Sequence, residues 1–176
     1  AWRAIDEMAP FLEFVRDHPD EVLLAENPVI GKSEAECARA MYEEGYPYLA
    51  LSAGGDLLGG AIEAGEMYPC TAIFMSPTAL TLGEVNLNTT RVANVDATDS
   101  RELSRALPEL TEQVDRCARF ARARVAGFED AELVRIAPRI GVRETRRIMG
   151  EHVLSEEEVL EARKSSEVVA KGGHHV

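Results

Sequence analysis

From Asp6 to about Arg16, Met8, Phe11, Leu12 and Val15 recur at helical spacing, and Pro19 stops the run. Ser33 with Glu36 three residues on predicts a capping box that opens a short helix carrying Cys37, Ala38, Met41 and Tyr42, ended by Gly45 and Pro47. Asp56 is placed to cap a third helix through Leu57, Leu58 and Ile62, with Gly65 as its stop. The period then changes. Thr71 to Met75 is β-prone, and Leu80, Leu82, Val85 and Leu87 partly alternate with polar or small residues. This predicts a strand pair turning around Pro77, with extended chain continuing to Val92. Asp99 with Glu102 starts the longest predicted helix, closed by Gly127. Along it Leu103, Leu107, Leu110, Val114, Cys117 and Ala121 step by four and three, and Pro108 is expected to kink it. Leu133 to Ala137 is again β-like. A capping box at Ser155 and Glu158 opens a last short helix through Arg163.

Helices and strands mix without regular alternation, so the expected class is α+β, a mostly antiparallel sheet flanked by helices. Strands are expected from 71–75, 80–92 and 131–149. The long helix, 99–125, should lay its stripe against them. Residues 1–176 are read as a single domain or fragment, with a mainly helical part at 1–66 and the sheet with the long helix at 67–176. The opening Ala1-Trp2-Arg3 and the ending Gly172-Gly173-His174-His175-Val176 both read as cuts in something larger.

Charge narrows the partners. A net charge of −12 argues against nucleic acid, whose phosphates need a cationic footprint. No apolar run is long enough to span a bilayer. The cations are sixteen arginines against three lysines, which is read as mostly compositional, one cluster excepted. Cys37, Cys70 and Cys117 are odd in number and lack metal-binding spacing. They suit a reducing, cytoplasmic setting, with no metal. His18, His152, His174 and His175 show no ligand spacing either.

Two stretches remain as candidate chemistry. Residues 137–150 place Arg139, Arg143, Arg146 and Arg147 around Gly141 and Glu144 in an otherwise acidic chain. Arg143, Arg146 and Arg147 suit an anion or an acceptor beside a redox centre. Gly141 suits a backbone shape or approach that a side chain would block. Equally, the run suits a solvated strand whose arginines pair with Glu144, Glu151 and the acidic helix after Ser155. In Gly83 to Val92, Asn86, Asn88 and Thr90 share one face of an extended chain, either a ligand floor or the wet side of a sheet. No catalytic residue stands out, although Glu144 is available as a base. No GxGxxG occurs, so the usual dinucleotide cradle is absent from these residues.

The residues Asn88-Thr89-Thr90-Arg91-Val92, followed by Ala97-Thr98-Asp99, resemble the NTTRV…GTD segment of a bacterial family of FAD-dependent oxidoreductases. Pro138 to Gly150, with Val153-Leu154 and Glu156-Glu157, resembles the family's P-x-I-G-V-R-E-S-R-R-I-x-G…V-L-T-E-E-D signature, with Thr145 in place of Ser. Gly127-Phe128-Glu129 fits just before it. The resemblance runs from about Glu84 to Val176. It implies a two-domain flavoprotein in which a Rossmann-type part binds FAD and a sheet domain covers the flavin and shapes the substrate site. This chain matches the covering part. The implied parent uses FAD and a small-molecule substrate, and this segment's partner is the FAD-binding portion of its own chain. The segment alone is expected to hold no FAD and to be inactive. The alternative, of a different class, is a non-catalytic assembly domain whose arginines grip an acidic partner.

Overall fold

The computed structural model describes residues 2–3, 9–22, 36, 49–79 and 83–164. The chain divides into two units, Ala1–Gly141 and Val142–Val176. In the first, the described elements run β1 (Trp2–Arg3), α1 (Ala9–Asp17), a 3-10 turn (Pro19–Glu21), β2 (Leu49–Ser52), α2 (Asp56–Glu63), β3 (Ala72–Ala79), β4 (Glu84–Asn88), α3 (Ser100–Arg124) and β5 (Glu132–Leu133). The second contains α4 (Glu156–Leu160). The class is α+β, as expected. The five strands lie in the order β2-β3-β4-β1-β5, and every described pairing is antiparallel.

Register decides which side chains become core. Leu49 pairs with Met75, Leu51 with Ile73, Met75 with Leu87 and Pro77 with Val85. Because paired residues share a face, Leu49, Leu51, Ile73, Met75, Val85 and Leu87 form one apolar row across three strands. The opposite face turns polar at β4, where Asn86 and Asn88 are exposed. The row joins a single buried cluster with Phe11 and Val15 of α1, Leu58 and Ala61 of α2, and Cys117, Ala118, Phe120 and Ala121 of α3. Phe128 is fully buried in it and meets the Phe11 ring edge to face, with centroids 6.0 Å apart.

Several expectations need correction. The strand pair does not turn at Pro77. β3 runs on through Ala79, with a register shift between Pro77 and Ala79, and Gly83 lies beyond it with φ +61°. Pro is tolerated at such a bulge because its missing N–H is not needed by a regular ladder. Of the stretch 80–92, only Glu84–Asn88 is strand among the described residues, and of 131–149 only Glu132–Leu133. β2 was not expected; its three apolar residues are too short a signal, and pairing with β3 supplies what propensity does not. The Ser33 capping box lies outside the described residues, Glu36 excepted, as does the start of the first helix at Asp6.

The long helix begins and ends within a residue of expectation. Asp99 caps it, its side chain accepting from the Arg101 N–H at 2.8 Å, and Gly127 follows at φ +83°. Pro108 sits inside it without ending it. Of the predicted stripe, Cys117 and Ala121 are buried, Leu103, Leu110 and Val114 are half-buried and Leu107 alone is exposed, so the stripe is met towards the C-terminal end. Ala106, Gln113, Cys117, Ala118, Phe120 and Ala121 are buried, whereas Leu107 is 54% exposed. The buried face combines three alanines and Cys117 with the larger Gln113 and Phe120, and leaves Leu107 out. The last helix, α4, stops at Leu160 rather than Arg163, with Ala162 at φ +48° just after it. Its Ser155–Glu158 capping box is present in both directions.

Candidate functional site

At α2 the sequence Leu49 to Glu63 builds a strand, a Gly54-Gly55 loop and a helix, an arrangement that elsewhere receives an anion at the helix N-terminus. Here that position is filled from within. Asp56 is not the cap; it is the first helical residue, and Gly55 holds the cap position without a side chain. The carboxylate of Glu21 accepts from the Leu57 N–H at 2.9 Å. Glu21 is buried, and a Cβ on Gly55 would lie 2.8 Å from the Glu21 Cα and nearer still to its Oε2. Glycine is thus required by close approach, and the negative end of Glu21 sits on the positive end of the helix. The far end of α2 closes in a Schellman turn: Glu66 N–H donates to Ala61 O, Gly65 N–H to Ile62 O, and Gly65 takes φ +73°.

The stretch 88–91 is held just past the point where sheet pairing stops at Asn88. The Tyr68 hydroxyl and the Thr89 Oγ1 are 2.7 Å apart. The Gln113 side chain accepts from the Arg91 N–H at 2.9 Å and donates to the Arg91 O at 3.0 Å. Thr89 therefore turns inward, while Asn88 is exposed and Thr90 half-buried. Around Thr89 lie groups that keep their protons. Burial pushes the Tyr68 hydroxyl well above its ordinary value, against the opposing effect of its Thr89 bond. Burial likewise raises the Cys70 thiol, and pushes Cys117 up to about 12. None of the three is a ready nucleophile at neutral pH. The loop that follows is tied to the start of α3: Asp96 N–H donates to Glu102 at 2.8 Å, and Thr98 donates twice to Asp96.

An open cleft of about 450 Å³ lies between the end of α2 and the last turns of α3, with Glu66, Arg116, Arg119 and Arg124 on its walls. Its guanidinium groups are already engaged. Arg124 grips Glu66 at 2.7 and 3.2 Å, Arg116 donates to the Gly65 and Glu66 carbonyls, and Arg119 pairs with Asp115 at 2.6 Å. This is a strut between two helices.

The arginine-rich run is built differently. Gly141 ends the first unit, and a Cβ there would meet nothing within 4 Å, so the described chain imposes no glycine at that place. In the second unit Arg143, Glu144, Arg146 and Arg147 are all exposed and outside any strand. Arg147 and Glu144 form an ion pair at 3.2 Å, with side chains 81% and 68% exposed, worth little in water. Ile148 and Met149 next to it are 95% exposed. The solvated-strand alternative for this run thus loses its strand but keeps one of its ion pairs. Asn88 and Thr90 lie in the first unit, and Arg143, Arg146 and Arg147 lie in the second.

Sequence reasoning passed over Tyr68, Gln113 and Glu21. Gln113 carried a usable signal, a carboxamide between Leu110 and Val114 on the apolar side of a helix. Glu21 carried none, because its partner Leu57 lies 36 residues away. Among the described residues no His, Cys, Asp or Glu cluster suits a metal, and no helix is long and apolar enough to cross a membrane.

A model of the FAD dependent oxidoreductase family matches residues 53–176. No curated protein and no solved structure matches the chain.

Proposed function

Because the chain belongs to the FAD dependent oxidoreductase family, we propose that it is the flavin-covering, substrate-side segment of a larger oxidoreductase. The observation that carries this reading is the extent of the family match, which takes in both the Asn88–Val92 and the Pro138–Gly150 motifs. In such an enzyme the flavin supplies the electron or hydride chemistry, and the protein binds, orients and excludes water.

The described residues do not fit FAD's pyrophosphate. The one strand–glycine–helix junction that resembles a phosphate cradle already holds the Glu21 carboxylate, whose charge repels a phosphate. In the cleft beside Arg116, Arg119 and Arg124 are paired with carboxylates and Arg116 is bound to two backbone carbonyls. The nucleotide is therefore assigned to other segments of the parent, which are this chain's partners, and the chain alone is not expected to retain FAD or to turn over substrate.

The share assigned to this segment lies in Arg143, Arg146 and Arg147, with Glu144 and Gly141, and in Asn88 and Thr90. Exposed arginines beside the exposed Ile148 and Met149 suit a surface that becomes covered when the remaining parts of the enzyme are in place. A glycine with no cause inside the described chain suits close approach by something outside it. Free thiols at Cys70 and Cys117 suit the cytoplasm. The substrate is a small molecule, and an anionic group on it would suit the arginines.

The experiment changes Arg143, Arg146 and Arg147 singly to Met in the full-length enzyme. At least one variant should lose turnover by about tenfold or more, the equivalent of roughly 1.5–3 kcal/mol for a charge-assisted hydrogen bond. Flavin content and the urea midpoint should stay unchanged. Near-normal turnover in all three would remove the arginines from the site.

A further inference from the structure

The hydrogen bonds around Arg91 point beyond stability. We infer that Gln113 is a positioning residue that clamps the Arg91 backbone and thereby fixes the exposed Asn88 and the half-buried Thr90. This rests on the reading that Asn88 and Thr90 face substrate or flavin.

β4 ends at Asn88, the last residue with a partner on β3, Phe74. Beyond that point the chain leaves regular structure and has no ladder to define its path. Gln113 takes over the part of a neighbouring strand. Its carboxamide offers one acceptor and one donor in the same plane, and meets both the N–H and the C=O of Arg91, at 2.9 and 3.0 Å. Asn would be one methylene too short, and an apolar side chain would leave both Arg91 groups without their partner. Gln113 is only 8% exposed, and its amide is satisfied by these bonds, with a long contact to Glu109 at 3.5 Å. A buried carboxamide of this kind contributes little net stability over a packed leucine, but it specifies one backbone path.

A second clamp acts two residues earlier, from the loop between α2 and β3. Tyr68, 4% exposed, holds Thr89 through its hydroxyl. With Thr89 pulled inward and Arg91 pinned at both backbone groups, little freedom remains for Thr90 between them. Asn88 and Thr90 are then carried on a rigid frame, which is what a site requires of groups that must meet a ligand at fixed distance.

The test uses the full-length enzyme and reads amide hydrogen exchange and the order of the Thr90 methyl by NMR. In Gln113→Leu, the Arg91 amide should exchange about tenfold faster or more, and the Thr90 methyl should lose order. The β3–β4 amides should keep their protection. Gln113→Glu adds a rescue that a merely space-filling residue would not show. Ionised, the carboxylate faces the Arg91 carbonyl and Glu109 and breaks the clamp. Protonated, it restores one donor and one acceptor, so Arg91 protection, corrected for intrinsic exchange, should return as pH falls. Unchanged Arg91 exchange in Gln113→Leu would overturn the clamp. Loss of protection throughout β3–β4 would make Gln113 a fold residue and overturn the positioning role, as would a Gln113→Glu variant indifferent to pH. None of these readouts requires turnover. Turnover of Asn88→Ala and Thr90→Val in the full-length enzyme tests the underlying reading separately.

Discussion

The Asn88–Arg91 stretch and the Arg143–Arg147 stretch stand out in the sequence for the same reason, polar residues of unusual kind in a short run. Physically they are opposites. The first is pinned within four residues by a loop tyrosine and a glutamine of α3, three residues past a fully buried Val85. The second has one exposed ion pair, and its apolar neighbours Ile148 and Met149 lie almost wholly in water. The difference teaches what each can do unaided. A clamped segment has already lost its conformational entropy and presents its side chains at no further cost. An open segment must be ordered by whatever it binds, and that cost is charged to binding. In the proposed enzyme the first would act as a fixed floor and the second as a surface completed by the rest of the protein.

The largest loss is expected in the core behind the first stretch. Phe128→Ala removes the fully buried ring that meets Phe11, and should cost about 3–5 kcal/mol, read as a fall in the urea midpoint. If the loss is below about 1 kcal/mol, the packed character of the first unit has been overstated.

Gly55→Ala is the next largest. The added Cβ meets backbone as well as side chain of Glu21, so relief requires the 3-10 turn to shift and the Leu57 N–H to lose its acceptor. About 2–3 kcal/mol is expected from overpacking and a stranded donor. Glu21→Ala, combined with Gly55→Ala, should recover part of it, because it removes the side-chain part of the obstruction and leaves only the backbone contact; strict additivity in this double-mutant cycle would refute the side-chain contact.

The smallest effect belongs to the second unit. The Glu158 carboxyl lies below its ordinary value, chiefly because it accepts from the Ser155 backbone N–H, with the Ser155 side chain and His152 adding to the shift. A group whose value is depressed in the folded state contributes above its unfolded value, near 4.5, and that contribution is lost as pH falls through the folded value. Acidification through this window should therefore fray α4, seen as Cα chemical shifts of 156–160 moving toward coil. Glu158→Gln should make those shifts insensitive to pH. A helix unmoved by acid would show that the capping box carries no weight in solution.

Legibility followed the range of the interaction. The ends of α3 were readable because Asp99 and Gly127 act on residues next to them, and the Ser155–Glu158 box was readable for the same reason. The two polar stretches were readable as unusual composition. Their state was not, since nothing local marks Gln113 as the partner of Arg91, 22 residues away, or Tyr68 as the partner of Thr89, 21 residues away.

The helices with local caps and the mixed class were legible from the sequence alone, because capping, glycine stops and periodicity are fixed by neighbours within about one turn. Tertiary structure decided the rest. It chose which face of α3 is buried, taking in Gln113 and Phe120 with the alanines and leaving Leu107 out, since close approach of elements rewards shape as well as hydrophobicity. It made a strand of Leu49–Ser52 by pairing it with Ala72–Met75, and it left residues 134–150 without a strand among the described residues. It also set Glu21 on the N-terminus of α2, a contact that exists only once distant parts of the chain are folded together.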